Sequence, residues 1–340
     1  MTLRIRLARN RAGRLLGTIV TKCWAFSGIY VACFFLYWLY GGISAFCLFC
    51  FAVTGMLYHI EDTLLYHPNS PRDSRIYVPS PSLFNLPYQS TYIKSEDGIL
   101  LHVFFIAQPE EIMKTVPTVL YLHGNAGNIG HRLQNVVGLY HNMKWNILML
   151  EYRGYGLSQG SPSEEGLYMD ARAGINYLYS RNDINTSEII VFGRSLGGAV
   201  AIELATKQEY AQKIWCLIVE NTFTSIPDMA VLFIGSKFLQ YLPLFVYKNK
   251  YISISKVDSI VVPTLFISGL SDEIVPASMM EDLFNKSKSS WKKLLTFYSG
   301  THNETWAHKE YYWRINALMD ELREQAPMRV PSTHWRIDDI

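Results

Sequence analysis

Hydrophobic and polar positions along this chain follow two regimes. Residues 23–58 pass 36 positions without one Asp, Glu, Lys or Arg. As a single helix that run would reach about 54 Å, against roughly 30 Å of bilayer hydrocarbon. It outruns the apolar core of about 7–15 residues in a cleaved signal peptide, and no ordinary soluble domain hides so long an uncharged stretch in one piece. A membrane anchor is expected there. From residue 90 the pattern changes to short apolar runs separated by amphipathic stretches. Residues 91–93 and 100–106, joined through Asp97-Gly98, read as an antiparallel opening pair. Residues 118–122, 146–152, 188–192, 215–219, 264–268 and 294–298 read as buried strands. Helical periodicity falls at 131–143, 167–180, 198–207, 279–285 and 311–324. Continuous apolar strands alternating with helices predict an α/β fold, its mostly parallel sheet covered on both faces.

The same pattern divides the chain. A basic tail, 1–22, precedes the transmembrane signal-anchor region, 23–58; a Pro-, Ser- and Tyr-rich connector spans 59–89. The main domain covers 90–326, and a tail covers 327–340. Within the domain, 223–255 is dense in large apolar residues, among them Met229, Leu232, Phe233, Leu244 and Phe245. That segment reads either as an ordinary packing helix or as a small apolar cap over a pocket.

Charge adds an orientation. Arg4, Arg6, Arg9, Arg11, Arg14 and Lys22 stand without an acid in the first 22 residues, so a total of +2 leaves −4 on the remainder. The folded part therefore offers no basic face for nucleic acid, whereas the bilayer is an expected partner. With one span, the positive-inside rule keeps the tail cytosolic and makes this a type II protein with a luminal or extracellular domain. A hairpin bent at Gly41-Gly42 would instead return the domain to the cytosol. Three sequons, at Asn185, Asn285 and Asn303, lean toward the luminal arrangement. Cys23, Cys33, Cys47 and Cys50 lie in the apolar region and only Cys216 in the domain, so no disulfide is expected inside it. Nothing in the chain specifies an oligomeric state.

Candidate chemistry centres on Gly193-Arg194-Ser195-Leu196-Gly197-Gly198, between a β-branched run and a helical one. Strand, sharp turn and helix with serine at the apex make a nucleophile elbow, where strand and helix nearly touch and Gly193 and Gly197 supply the room. The bare pattern would arise in about one chain in ten of this length, so its context decides. A serine hydroxyl needs a base, the base an orienting carboxylate, and the oxyanion N–H donors. Asp272 follows the 264–268 strand and His302 the 294–298 strand, in the order this architecture requires. Glu273 and Glu220 compete for the acid role, and His308 for the base. The backbone N–H groups of Asn125 and Leu196 are the expected oxyanion donors, which leaves both side chains replaceable. His123 reads as a brace for the glycine-bearing loop that follows it. Arg194 receives no role. Such a site acts without metal or cofactor.

Five motifs then carry a resemblance: His123-Gly-Asn-Ala-Gly-Asn128, Tyr152-Arg-Gly-Tyr-Gly-Leu-Ser-Gln-Gly160, Gly193-Arg-Ser-Leu-Gly-Gly198, Glu220-Asn-Thr-Phe-Thr-Ser225 and Gly269-x-x-Asp272-x-x-Val275-Pro276. In register over nearly the whole chain, they resemble the α/β-hydrolase superfamily. The resemblance implies an eight-stranded sheet, a charge-relay triad of Ser195, Asp272 and His302, and ester, thioester or lipid substrates, palmitoylated proteins among them. Fold alone does not choose between these. The expected function is a membrane-anchored serine hydrolase acting on long-chain acyl esters or thioesters. Its alternative is a catalytically silent binding or scaffold protein on the same fold.

Overall fold

A computed structural model describes residues 27–325; the expected tails 1–22 and 327–340 lie outside the described residues. The described residues form two compact units, one of residues 27–65 together with Tyr241–Asn249, the other of Tyr66–Gln240 together with residues 250–325.

The larger unit is built on one eight-stranded sheet. Its strands are β1 (Gln89–Lys94), β2 (Leu100–Ile106), β3 (Thr118–Leu122), β4 (Asn146–Leu150), β5 (Ile189–Arg194), β6 (Cys216–Glu220), β7 (Thr264–Gly269) and β8 (Lys292–Phe297). They lie in the order β1-β2-β4-β3-β5-β6-β7-β8. β2 is antiparallel to β1 and β4, and every other pairing is parallel. β3 through β7 are buried along their whole length, which is why each reads as an uninterrupted apolar run. One sheet face carries Tyr121, Phe192, Ile218 and Ile267. It packs on α3 (Leu133–Met143) through Leu133, Val136 and Leu139, and on the last helix (Tyr311–Gln325) through Tyr311, Ile315 and Met319. The opposite face receives α4 (Glu164–Tyr179). There a Cβ on Gly174 would lie 2.8 Å from Leu120 Cδ1, so glycine lets that helix approach the sheet. α5 (Leu196–Thr206) is apolar almost all round and buried at ten of its eleven positions. The parallel strands end along one edge of the sheet, and the loops leaving that edge carry the candidate site.

The smaller unit holds the described part of the uncharged run. The uncharged run is broken at Gly41, whose φ of +87° only glycine adopts without strain. The break yields α1 (Ser27–Tyr40) and α2 (Gly42–Leu65). Tyr30 packs edge-on against Phe49 at 5.7 Å and its hydroxyl points at Met56 Sδ, 3.8 Å away, so α1 folds back along α2. With 14 residues α1 is about 21 Å long; with 24, α2 reaches about 36 Å and is long and apolar enough to cross a membrane. Only 18% of α2's apolar window is buried, unlike the core helix of a soluble domain. Glu61, near the end of α2, accepts the backbone N–H groups of Lys248 (2.8 Å) and Asn249 (2.6 Å). Asp62 accepts Asn249 Nδ2 at 2.8 Å and pairs with the Lys248 ammonium.

The expected cap is α6 (Ile226–Ile234) followed by single turns at Lys237–Tyr241 and Leu244–Val246. Ser225 caps its start by accepting Asp228 N at 3.1 Å, and Gly235, φ +69°, ends it. Only Met229 of this helix is buried, whereas Leu232, Phe233 and Ile234 are exposed.

Candidate active site

Between β5 and α5 the chain reverses at Ser195, whose φ of 55° and ψ of −120° a non-glycine residue rarely adopts. Such a conformation costs on the order of 1–3 kcal/mol and persists only where its surroundings impose it. They do here. Ser195 N donates to Glu220 O at 2.9 Å, and Thr222 Oγ1 donates to Ser195 O at 2.7 Å. A Cβ on Gly193 would sit 2.2 Å from Gly197 O, and one on Gly197 2.1 Å from Leu122 O, so both elbow glycines are required by backbone contact.

The three expected side chains meet. His302 Nε2 lies 3.0 Å from Ser195 Oγ, and its Nδ1 lies 2.7 Å from Asp272 Oδ2. The other carboxylate oxygen of Asp272 accepts the N–H groups of Ile274 (2.8 Å) and Val275 (2.9 Å), which fixes its plane. Donation from Nδ1–H to Asp272 leaves Nε2 as the acceptor that faces the serine hydroxyl. The competitors are placed elsewhere. Glu273 accepts His302's backbone N–H at 3.3 Å. His308 Nδ1 accepts Glu310 N at 3.3 Å, and its ring packs on Phe297. Glu220 is buried and accepts from the Tyr311 hydroxyl; burial pushes its carboxyl upward, with Arg194 and Tyr311 opposing.

Upstream, the loop after β3 is pinned. Asn125 O accepts His67 N at 2.9 Å and Tyr155 OH at 3.0 Å, while Gly127 N donates to His67 O at 3.3 Å. The connector thus holds the loop expected to supply one oxyanion donor. Leu196 opens α5, where an N–H has no earlier helical carbonyl to meet. His123 is fully buried; its Nδ1 lies 2.7 Å from Gly124 O and its ring packs 4.4 Å from Tyr152. Its Nε2 comes within 3.2 Å of Glu151 Oε1 without hydrogen-bond alignment. Of the sequons, Asn285 and Asn303 are exposed, while Asn185 Oδ1 accepts Ser187 N at 3.0 Å.

Two further residues at the site escape sequence reasoning. Asn221, in the left-handed region at φ 47°, donates from Nδ2 to Thr301 O (3.1 Å), His302 O (3.3 Å) and Thr305 Oγ1 (3.0 Å). Its Oδ1 accepts Gly269 N at 2.8 Å, tying the acid loop to the base loop. Arg194 Nη1 donates to Asn303 O at 3.1 Å. An asparagine directly after a strand was the available signal, since Asn tolerates positive φ, but the partners of its side chain stand 48 to 84 residues away.

Known proteins agree with this architecture. Residues 114–258 match the family model described as serine aminopeptidase, S33. The chain is 39% identical over 304 residues to the alpha/beta hydrolase domain-containing protein WAV2 of Arabidopsis thaliana, covering 86% of this chain and 95% of that one. A Saccharomyces cerevisiae protein described as a membrane protein is 35% identical over 260 residues, 76% of this chain and 88% of its own. The solved Pyrococcus furiosus esterase Pf2001 matches with a TM-score of 0.58 at 20% identity, over 77% of this chain and 98% of the esterase, a likeness that speaks for the fold. Relatives matched over nearly their whole length, with the eight-stranded sheet they lead one to expect, make the chain a member of the α/β-hydrolase family.

Proposed function

We propose that this protein is a membrane-anchored serine hydrolase that cleaves carboxylic ester or thioester bonds of long-chain acyl substrates through a Ser195 acyl-enzyme. The supporting observation is the continuous relay from Asp272 through His302 to Ser195, at 2.7 and 3.0 Å. His302 Nε2 takes the hydroxyl proton as Ser195 Oγ attacks the acyl carbon, and returns it to the leaving alcohol or thiol. The N–H groups of Leu196 and Asn125 receive the oxyanion. Water, deprotonated by the same imidazole, then releases the acid. Asp272 holds the productive tautomer throughout.

A long acyl chain suits the surroundings of this reading. α2 is long, apolar and largely unburied, and the cap segment Tyr241–Asn249 is fastened to its end. The fold-back of α1 along α2 favours the hairpin topology over the type II one. Tail and catalytic domain then leave the bilayer on one side, and the basic tail makes that side cytosolic. The substrates in reach are cytosol-facing lipid esters and S-acylated proteins.

The test is labelling of the full chain by a fluorophosphonate probe, followed by hydrolysis of esters of graded chain length. Wild type is expected to label and Ser195→Ala to lose both labelling and turnover, the latter by about 10⁴-fold or more. Failure of wild type to label, beside a control hydrolase that does, returns the chain to the silent scaffold reading. A preference for short, water-soluble esters removes the long-chain assignment. Glycan on Asn185, Asn285 or Asn303 would restore the luminal topology.

A further inference from the structure

The loop that carries His302 is gripped by three consecutive carbonyls. Asn221 Nδ2 reaches Thr301 O at 3.1 Å and His302 O at 3.3 Å, and Arg194 Nη1 reaches Asn303 O at 3.1 Å. Both donors are buried, and both stand at strand ends that define the elbow: Arg194 immediately precedes Ser195, and Asn221 follows Glu220, Arg194's partner in the β5–β6 register. Glu220 contributes in turn the carbonyl that accepts Ser195 N at 2.9 Å. Two local bonds assist the grip, Trp306 Nε1 to Asn303 O (2.8 Å) and Thr305 Oγ1 to Thr301 O (2.7 Å), but both start within the base loop itself. Among the described residues, Arg194 and Asn221 are the hydrogen-bond donors that join the carbonyls of that loop to the ends of β5 and β6.

We propose that Arg194 and Asn221 are positioning residues, which set the place of the His302 imidazole over Ser195 by holding the carbonyls of residues 301–303. The proposal rests on the serine hydrolase reading. Both side chains are enclosed by the protein, with no more than 3% of either residue exposed. Each acts through His302, whose ring has to stay within hydrogen-bond reach of Oγ while a proton moves; a displacement of about 1 Å there can cost on the order of 10²-fold in rate. Arginine suits its place because its rigid planar fork is always charged, and a lysine ammonium on a flexible stem reproduces the charge without the geometry.

The experiment uses the full chain in detergent, a soluble acyl ester, and the variants Arg194→Gln, Arg194→Lys and Asn221→Gly; glycine accepts the backbone conformation of Asn221 while removing its amide. Folding is followed by thermal melting. We expect Arg194→Gln and Asn221→Gly to lower kcat about 10–100-fold with KM within about 2-fold, and their fluorophosphonate labelling to slow in proportion. Arg194→Lys is expected to recover part of the loss. Folded variants that keep kcat within about 3-fold of wild type overturn the proposal, as does a loss carried in KM. A variant that does not fold leaves the decision to the other position, and failure of both to fold assigns the pair a purely structural role. Labelling of wild type separates these outcomes from failure of the hydrolase reading itself, which would appear as no labelling at all.

Discussion

At the scale of single residues, the elbow shows how narrow the tolerances are. A methyl group on Gly193 would meet the Gly197 carbonyl oxygen at 2.2 Å and the Gly198 Cα at 2.8 Å. These are backbone atoms, which cannot rotate away as a side chain would. Gly193→Ala therefore has to separate β5 from α5 or abandon the Ser195 conformation. We expect it to cost roughly 1–3 kcal/mol or more in urea unfolding, the range for overpacked sites, and to abolish labelling of Ser195. Leu196→Ala is the contrasting case. It keeps the N–H expected to serve the oxyanion, so kcat should stay within a few-fold. The side chain is only 1% exposed, however, and its truncation should cost about 2–5 kcal/mol. On that expectation the side chain is replaceable for chemistry but not for stability. Ser195, Asp272 and His302 were legible because each follows a strand, in an order the architecture dictates. Arg194 and Asn221 were not. The base-loop carbonyls that they hold begin 109 and 80 residues away, and a backbone carbonyl leaves no trace in residue type.

Among elements, the strand cores were readable from buried apolar runs, and most of the discrepancies lie at ends, where capping decides. α4 starts at Glu164, three residues before its apolar periodicity, because Ser163 Oγ accepts Gly166 N at 3.2 Å and two glutamates favour a helix N-terminus. α5 begins at Leu196 because the turn is complete at Ser195. The loop after β4 shows what periodicity cannot convey, since its Arg153 fastens two elements at once. Arg153 Nε donates to Asp170 Oδ1 on α4 at 2.9 Å, and Nη1 donates to Asp97 Oδ2 in the β1–β2 turn at 2.6 Å. Burial pushes the Asp170 carboxyl up to about 6, with Arg153 pulling against it. A carboxyl so raised holds its proton more tightly in the folded chain than in the unfolded one, where it titrates near about 3.9. Its contribution to stability is therefore greatest below the unfolded value and declines as pH rises toward 6. Asp97 moves oppositely, held down by its bond to Arg153, so the raw pH profile mixes the two. Subtracting the profile of Asp170→Asn isolates the first. Wild type should lose unfolding free energy relative to that variant between pH 4 and about 6.5, and a flat difference would reject the assignment.

At the scale of the whole chain, a long-range contact fastens the segment Tyr241–Asn249 to the end of α2. Periodicity could not reveal it, because the segment lies nearly 190 residues from Glu61 along the chain. An exposed ion pair alone is worth roughly 0–1 kcal/mol, so the Lys248–Asp62 bridge by itself would matter little. Here Glu61 also accepts two backbone N–H groups, at 2.8 and 2.6 Å, and bonds to an ionised acceptor are the stronger kind. Tyr241, Leu244 and Phe245 are exposed on the segment so held, and such residues suit the apolar side of a membrane interface. Lys248→Glu sets a third carboxylate against Glu61 and Asp62. On the proposed membrane anchoring the chain still sediments with membranes, since α1 and α2 are untouched, while cleavage by an added protease within 241–249 should rise several-fold. Hydrolysis of a long-chain ester presented in vesicles should fall, and that of a short soluble ester should not. Combining Lys248→Glu with Asp62→Lys restores one attractive pair and should reverse both effects at least in part. Protease cleavage that stays at the wild-type level in Lys248→Glu would mean that the segment is held by its apolar residues alone, with no part played by Glu61 and Asp62.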